Sequence, residues 1–467
     1  MIFSSLFFLY AFLPLCLITY RLPNSLRAKN LLLLVFSLFF YAWGEPIGIL
    51  QLLLSGATVY FFSLGIEKYR HIARMKKISL GLAVVAALIP LFLFKYSGFF
   101  IENINRVTGL GMPLPSFTMP IGISFYTFQI ISYSVDLYRG QCEVQRSLPK
   151  FWLYQSLFPQ LIAGPIVRYS DVETELNKRR ATTDDLVQGM TRFLIGLAKK
   201  VLIANQVGQI VELTLVNPDR LNSLSALLGI LAFTFQIYYD FSAYSDMAIG
   251  LGMLFGFHFK ENFNYPYMAN SATDFWRRWH MSLGSFFRDY VYIPLGGNRR
   301  HHYRNIIVVW FLTGFWHGAS WNFIFWGLFF GVLLLLENRW LLAWFDRKPP
   351  IIRYLYMIPV LLMGWALFYY VDLSQFGVFI SRLFSFSSSL ESRIMLRQNL
   401  PLLIIALIGS FPIAHLIKRR APQLRTLNFI KSPTYVMIHI VGLGLLLLLS
   451  TASLLGDSFN PFLYFRF

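Results

Sequence analysis

The stretch Ile306–Leu336 reads IIVVWFLTGFWHGASWNFIFWGLFFGVLLLL, and His317 is its single ionisable side chain. In a continuous helix His317 would lie roughly 18 Å in from Asn305, near the middle of a hydrocarbon layer of roughly 30 Å. One reading is a buried histidine hydrogen-bonded across helices. The other is a general base with a pKa near neutrality, and the cost of keeping an ionisable group at that depth favours it. Gly314 and Gly318 form a small-xxx-small frame, with Gly327 and Gly331 further on, a spacing that permits close helix approach. The run is too long for one perpendicular span, so it must tilt strongly, bend near the glycines or extend beyond the bilayer.

The rest of the chain fits that setting. Hydrophobic residues make up 56% of its 467 residues and charged residues 13%, against about 25% charged in an ordinary soluble domain. This is the composition of an all-α polytopic membrane protein, expected as one multi-pass body over residues 1–467 with a distinct tail at 456–467. The formal charge of +19 sits mostly in short loops between apolar runs. There it orients spans by the positive-inside rule and does not point to nucleic acid. Cys16 and Cys142 lie far apart, without metal or redox spacing, and no metal site is expected.

Along the chain, Ile2–Tyr20 is a retained span followed by Arg21, Arg27 and Lys29, which places the N-terminus outside. Leu31–Trp43 and Ile47–Ile66 follow, then a cytoplasmic loop carrying Lys68 to Lys77. Ile78–Phe94 runs outward, Lys95 snorkels to headgroups, and Glu102–Ser116 forms an external loop. Pro120–Tyr138 returns. Phe151–Arg168, FWLYQSLFPQLIAGPIVR, is broken by Pro159, Gly164 and Pro165 and reads as re-entrant. Leu186–Val216, with Arg192, Lys199 and Lys200, is amphipathic enough to lie along the membrane. Leu224–Phe257 is apolar but carries Gln236, Asp240, Ser242 and Asp246, and carboxylates there must face protein or a cavity. Spans are expected at Leu355–Tyr370, Leu400–Ile417 and Tyr435–Leu455. The basic loop from Lys418 to Lys431 then sends the tail, FNPFLYFRF, to the outer side, where Tyr464 reads on physics alone as an aromatic interfacial anchor.

The densest patch, Glu261–Arg300, interleaves Trp276, Arg277, Arg278, Trp279 and His280 with Arg288, Asp289, Tyr290 and Tyr292. Arginines there can face lipid headgroups on an amphipathic helix, or receive the phosphates of a nucleotide-bearing donor. Composition does not separate the two.

Several motifs in order carry a family resemblance: PIGISFYTFQ (Pro120–Gln129), LFPQLIAGPIVR (Leu157–Arg168), YYDFSAYSDMAIGLG (Tyr238–Gly252), ENFNYPY (Glu261–Tyr267), TDFWRRWHMSL (Thr273–Leu283), FRDYVYIPLGGNR (Phe287–Arg299) and GFWHGASWNFIFWG (Gly314–Gly327). They resemble the membrane-bound O-acyltransferase family, and most closely its bacterial branch that O-acetylates exported polysaccharides such as alginate and peptidoglycan. The resemblance implies a ring of tilted transmembrane helices with re-entrant and interfacial helices around a central channel, in the bacterial cytoplasmic (inner) membrane. It places the family histidine at His317 and a second histidine motif at His280. Relatives outside this branch often have Asn at the latter position, which suits donor positioning better than obligatory acid/base work. Trp276, Arg277, Arg278, Trp279, Trp316 and Asp246 are the expected substrate-binding residues, and Asp240 or Asp246 could orient a histidine or equally pair with Arg277 or Arg278.

The implied donor is acetyl-CoA, entering from the cytoplasm, with no permanently bound cofactor. PFLYFRF is similar to the C-terminal FIYF-type motif of this branch, with Leu463 in place of the usual Ile, and this implies that Tyr464 is a covalent acyl carrier. A phenol of pKa about 10 and a thiol of about 8.5 are comparable leaving groups, so an aryl ester keeps much of a thioester's transfer potential. The implied partner is an extracytoplasmic SGNH-type protein that passes the group on, so the polysaccharide acceptor is met only indirectly. Alternatives are a D-alanyl or longer acyl donor, or a transporter or flippase of acylated precursors.

Overall fold

The computed structural model describes residues 1–413, 433–456, 459, 460 and 463, and all regular structure among them is helical. Eight described helices are long and apolar enough to cross a membrane. The chain folds into two compact units. One comprises Met1–Phe193, Met247–Glu261 and Ser285–Pro294, the other Leu194–Asp246, Asn262–Gly284 and Leu295–Phe467. The patch Glu261–Arg300 is therefore divided between them.

In the first unit, helices α1 (Leu26–Ala42), α2 (Gly48–Lys68), α3 (Ala73–Thr108) and α4 (Ile123–Arg139) pack in sequence with α5 (Leu148–Ser156), the short α6 (Phe158–Leu161) and α7 (Tyr169–Asn177). Phe8, Phe12, Phe40, Phe158 and Phe255 form its aromatic centre, with Phe12 and Phe158 edge to face at 5.4 Å. Phe158 belongs to the segment expected to be re-entrant, which is indeed no continuous helix. It breaks at Leu157 and has no regular structure from Ile162 to Arg168, with Gly164 at φ 119°. Almost all of it is buried, as irregular backbone must be in an apolar setting. Tyr154 donates its hydroxyl to the carbonyls of Gln129 and Val167, and Trp152 and Gln155 donate to the carbonyls of Leu53 and Leu52.

Two expectations for this unit are corrected. The external loop from Glu102 is helix as far as Thr108, because α3 continues through a π-turn at Phe92–Tyr96 and ends only at Gly109, in the left-handed region. Lys95 does not only reach for headgroups: its ammonium donates to Ser124 Oγ at 3.2 Å.

The FRDY motif serves this unit's framework. Asp289 pairs with Arg168 at 2.8 Å and Arg288 at 2.7 Å, and Tyr290 donates to Asp136 at 2.7 Å. Burial pushes the Asp289 carboxyl up, but the bonds from Arg288 and Arg168 outweigh it and hold the group below its usual range.

The second unit contains the end of the continuous helix α8 (Thr183–Thr214), most of α9 (Ser223–Leu254), α10 (Ala272–Arg278), the start of α11 (Met281–Phe287), α12 (His302–His317), α13 (Trp321–Leu336), α14 (Pro350–Tyr369), α15 (Leu390–Gly409) and α16 (Pro433–Gly456). The stretch around His317 is two helices. α12 ends at His317, Gly318 is extended at φ −165°, and α13 runs back antiparallel to α12. The crossing depends on absent side chains: a Cβ on Gly314 would overlap the Phe323 carbonyl, and one on Gly327 the Trp310 carbonyl. Of the three ways to accommodate the long run, bending at the glycines is the one adopted, as a full reversal.

α8 also departs from expectation. Lys199 and Lys200, on the segment expected to lie along the membrane, pair with Asp246 and Asp240 of α9, at 2.7 and 2.6 Å. Carboxylates placed four and more residues apart on α9 thus meet a pair of cations on the preceding helix, and α8 is long and apolar enough to span.

Candidate active site

Because α12 stops at His317, the imidazole stands at a helix C-terminus and beside a turn. The side chain is 6% exposed. Its ring meets Trp326 edge on at 5.0 Å, Phe368 at 5.4 Å and Trp316 at 4.9 Å. The turn is held from α14's side by Asn322, fully buried, whose amide donates to the Leu367 carbonyl at 3.3 Å. Ser320 donates to Asn322 in turn.

His317 lines a narrow cavity with Ile237, Asp240, Phe241, Trp279, Trp326, Trp365, Phe368 and Leu463. Its walls are aromatic, with the aliphatic Ile237 and Leu463, apart from one carboxylate and the imidazole. That is a small volume of low polarity, lined almost wholly by apolar side chains.

His280 lies one layer away. It packs on Phe241 at 4.7 Å and faces Trp316 edge on at 6.0 Å, so Trp316 stands between the two histidines. Its Nδ1 accepts from the Leu283 N–H at 3.2 Å, which caps α11 and leaves the proton of the neutral ring on Nε2. Burial holds this imidazole well below the ordinary histidine range. Its backbone is left-handed at φ 45°, a conformation Asn tolerates better than most residues. Asn262 of the ENFN motif fixes the same corner: its amide donates to Ser245 Oγ at 3.0 Å and its side-chain oxygen accepts from Ser282 Oγ at 2.9 Å.

The other predicted residues separate. Trp279 lines the cavity and packs against Trp365 at 4.8 Å. Trp276 faces away from it, into a cluster with Trp310, Trp326 and Phe330 at 4.9 to 5.4 Å. Arg277 is exposed, and Arg278 pairs with Asp274 at 2.9 Å. Asp246 is bound to Lys199 and Asp240 to Lys200, so each carboxylate meets a lysine in place of the arginines that were the other expected partners. Tyr464 lies outside the described residues. Its predecessor Leu463 is described, 4% exposed, inside the wall of the His317 cavity.

Sequence reading passed over Glu337, which closes the apolar run. It is fully buried and its carboxylate accepts from the N–H groups of Ala272 and Thr273 and from the hydroxyls of Thr273 and Tyr356. It thereby caps α10, the helix that carries Trp276 and Trp279, from the end of α13. A lone carboxylate immediately after an apolar helix was the available signal.

Residues 140–370, which contain both histidine motifs, match the model of the membrane-bound O-acyltransferase family. The probable alginate O-acetylase AlgI of Azotobacter vinelandii is 37% identical with the whole of both chains covered. The chain belongs to the membrane-bound O-acyltransferase family. This O-acyltransferase is also 34% identical to the peptidoglycan O-acetyltransferase of Helicobacter pylori, over 79% of this chain and 77% of that one. It is 28% identical to the teichoic acid D-alanyltransferase of Bacillus subtilis, over 59% of this chain and 71% of that one. It is accordingly a multi-pass membrane enzyme, and its His317 hairpin and His280 corner both fall inside the matched region.

Proposed function

We propose that this O-acyltransferase takes acetyl from cytoplasmic acetyl-CoA and passes it across the bacterial inner membrane to O-acetylate an exported or cell-wall polysaccharide of the alginate or peptidoglycan kind. The route runs through Tyr464 on the outer side and then through an extracytoplasmic SGNH-type protein. The observation that carries the reading is Leu463: the residue that precedes Tyr464 in the chain forms part of the same cavity wall as His317. Two relatives whose names carry O-acetylation, of alginate and of peptidoglycan, support the acyl group and the class of acceptor.

In the proposed reaction His317 accepts the phenolic proton of Tyr464 as that oxygen attacks the acetyl carbonyl. The thioester C–S bond breaks, the imidazolium returns the proton to the leaving thiolate, and CoA departs as the thiol. The helix C-terminus beneath His317 supplies the negative end of a dipole, which stabilises the transient imidazolium. The partner's serine then takes the acetyl group and the free phenol is restored. Trp279 and Trp316 exclude water from the base, and His280 fixes the corner behind them.

The test is to incubate the purified chain in lipid nanodiscs with acetyl-labelled acetyl-CoA and to map the adduct by mass spectrometry. Label on Tyr464 in the wild type, and none in His317→Ala or Tyr464→Phe, is the expected result. An undiminished adduct in Tyr464→Phe would exclude the tyrosine relay. Competition by a D-alanyl carrier that outruns acetyl-CoA would replace the donor.

A further inference from the structure

The second unit contains an ion pair that the proposed chemistry does not use. Lys200 Nζ lies 2.6 Å from Asp240 Oδ1, with the two side chains 4% and 3% exposed. Burying two charges this completely costs several kcal/mol per ion unless their hydrogen bonds are complete. The remaining oxygen, Asp240 Oδ2, accepts from the backbone N–H of Leu463 at 2.8 Å. The carboxylate therefore bridges a lysine of α8 and the main chain of the tail.

Other described tail residues lie against the same helix. Asn205, five residues after Lys200, donates its amide to Asn460 Oδ1 at 3.2 Å. A Cβ added to Gly208 would come within 2.6 Å of the Gln236 amide and 3.1 Å of the Phe459 ring, so the glycine leaves room for both. Phe459, Asn460 and Leu463 thus meet a ladder of Gly208, Asn205 and the Lys200–Asp240 pair. Asp240 also forms part of the wall around His317.

We propose that the Lys200–Asp240 pair is the receptor for the chain's own C-terminal tail: a buried carboxylate that reads the Leu463 N–H and seats the tail as a docked peptide beside His317. Asp240 and Lys200 are positioning residues that act through the tail. The contact is to the backbone, so it fixes the tail's register without selecting its side chains. Specificity falls to the fit of Phe459 on Gly208 and of Leu463 in the cavity wall. The proposal deepens the relay reading by naming what presents the tail, but the seat exists whether or not Tyr464 becomes acylated.

The experiment is carboxypeptidase digestion of the full chain in nanodiscs, with the tail mass followed over time. An exopeptidase can pass Leu463 only when the tail has left Asp240, so in the wild type digestion slows sharply before that residue. Asp240→Asn removes the charge from the acceptor, and Leu463→Pro removes the donor while leaving the ion pair intact. Each is expected to speed passage through residue 463 about ten-fold or more relative to the same variant's detergent-unfolded chain, a ratio that cancels the exopeptidase's slow release of proline; ten-fold is the scale of a lost charge-assisted hydrogen bond. The double variant should be no faster than the quicker single, because both remove one contact. Thermal midpoints report folding, and Leu463→Pro carries the test if Asp240→Asn does not fold. Unchanged digestion in Leu463→Pro, or additive rates in the double variant, would overturn the seat. Tyr464→Phe is expected to digest like the wild type while losing the acetyl adduct, so failure of the relay and failure of the seat give different results.

Discussion

Glu337→Ala should damage this enzyme more than any other single truncation outside the cavity. The carboxylate accepts from Ala272 N at 2.6 Å, Thr273 N at 2.8 Å, Thr273 Oγ1 at 2.6 Å and Tyr356 OH at 3.1 Å, and it is fully buried. Removing it strands two backbone N–H groups at the start of α10, at about 1–3 kcal/mol each. It also removes a negative charge from a helix N-terminus, worth about 0.3–1 kcal/mol. The sum is about 2–7 kcal/mol, which at roughly 2 °C per kcal/mol lowers the unfolding midpoint by about 4–14 °C. Glu337→Gln keeps one acceptor oxygen but turns an amide donor toward the remaining donors, so it should lose about half as much. The assay is tryptophan-fluorescence melting in nanodiscs alongside acyl transfer at 25 °C. Because α10 carries Trp279 to the His317 cavity, turnover should fall further than the folded fraction does. Glu391→Ala, an exposed first-turn acid of α15, is the control. A Glu337→Ala protein that melts within 2 °C of wild type with unchanged turnover would refute the capping argument.

Three further outcomes follow from the same unit and its neighbour. His280→Asn should retain a substantial fraction of activity, because Asn tolerates the left-handed backbone and its side-chain oxygen can replace Nδ1 as acceptor for Leu283 N–H; His317→Ala should lose about 10²–10⁴ in rate, and equal losses in the two would mark His280 as a reacting group. Gly314→Ala and Gly327→Ala, each forcing a Cβ into a backbone carbonyl of the facing helix, should cost about 1–3 kcal/mol, whereas Gly444→Ala in α16, where nothing lies within 4 Å, should be neutral or slightly stabilising in melting curves. In the first unit, hydrogen bonds that the His258 ring donates to the carboxylates of Asp185 and Glu175 raise its pKa. A raised folded-state pKa gives stability that is fully present below the unfolded value of about 6.5 and is lost as pH rises through the folded value. Melting should therefore be higher at pH 6 than at pH 9, by a margin that shrinks in His258→Gln.

The sequence pattern disclosed most of the helices, because apolar runs longer than a turn-and-a-half of protein core have few other fates in this composition. It also disclosed the broken Phe151–Arg168 segment, since Pro159, Gly164 and Pro165 leave no continuous hydrogen-bond ladder. What it missed has a common cause. Lys199 and Lys200 made Leu186–Val216 read as a segment lying along the membrane, because a cation among apolar residues looks the same whether it faces lipid headgroups or a carboxylate on the next helix. The partners Asp246 and Asp240 stand some forty residues on, and only tertiary packing joins them. Glu337 was hidden for the same reason: its work as the cap of α10 pairs positions 64 and 65 residues apart in the chain. The hairpin at Gly318 was within reach of the sequence, because Gly314 and Gly327 are the two points at which the helices touch backbone to backbone.

That hairpin bears on why a histidine in an apolar run can act as a base. Inside a continuous helix an imidazole has the negative end of no dipole beneath it, and the surrounding aromatic rings oppose any charge it acquires. At the end of α12 the last carbonyls lack intrahelical partners, and their summed dipole favours a cation by about 0.3–1 kcal/mol, up to about 2 where partly buried. The rings of Trp316, Trp326 and Phe368 surround the imidazole, and in the proposed transfer the helix end would lower the cost of the imidazolium. Opening the chain at Gly318 also ends the backbone wall beside the ring, and Leu463 stands in the wall of the same cavity. In the proposed relay, the base, the dipole that would tolerate its charged form and the cavity wall that Leu463 completes all follow from one structural choice, the reversal of the chain immediately after His317.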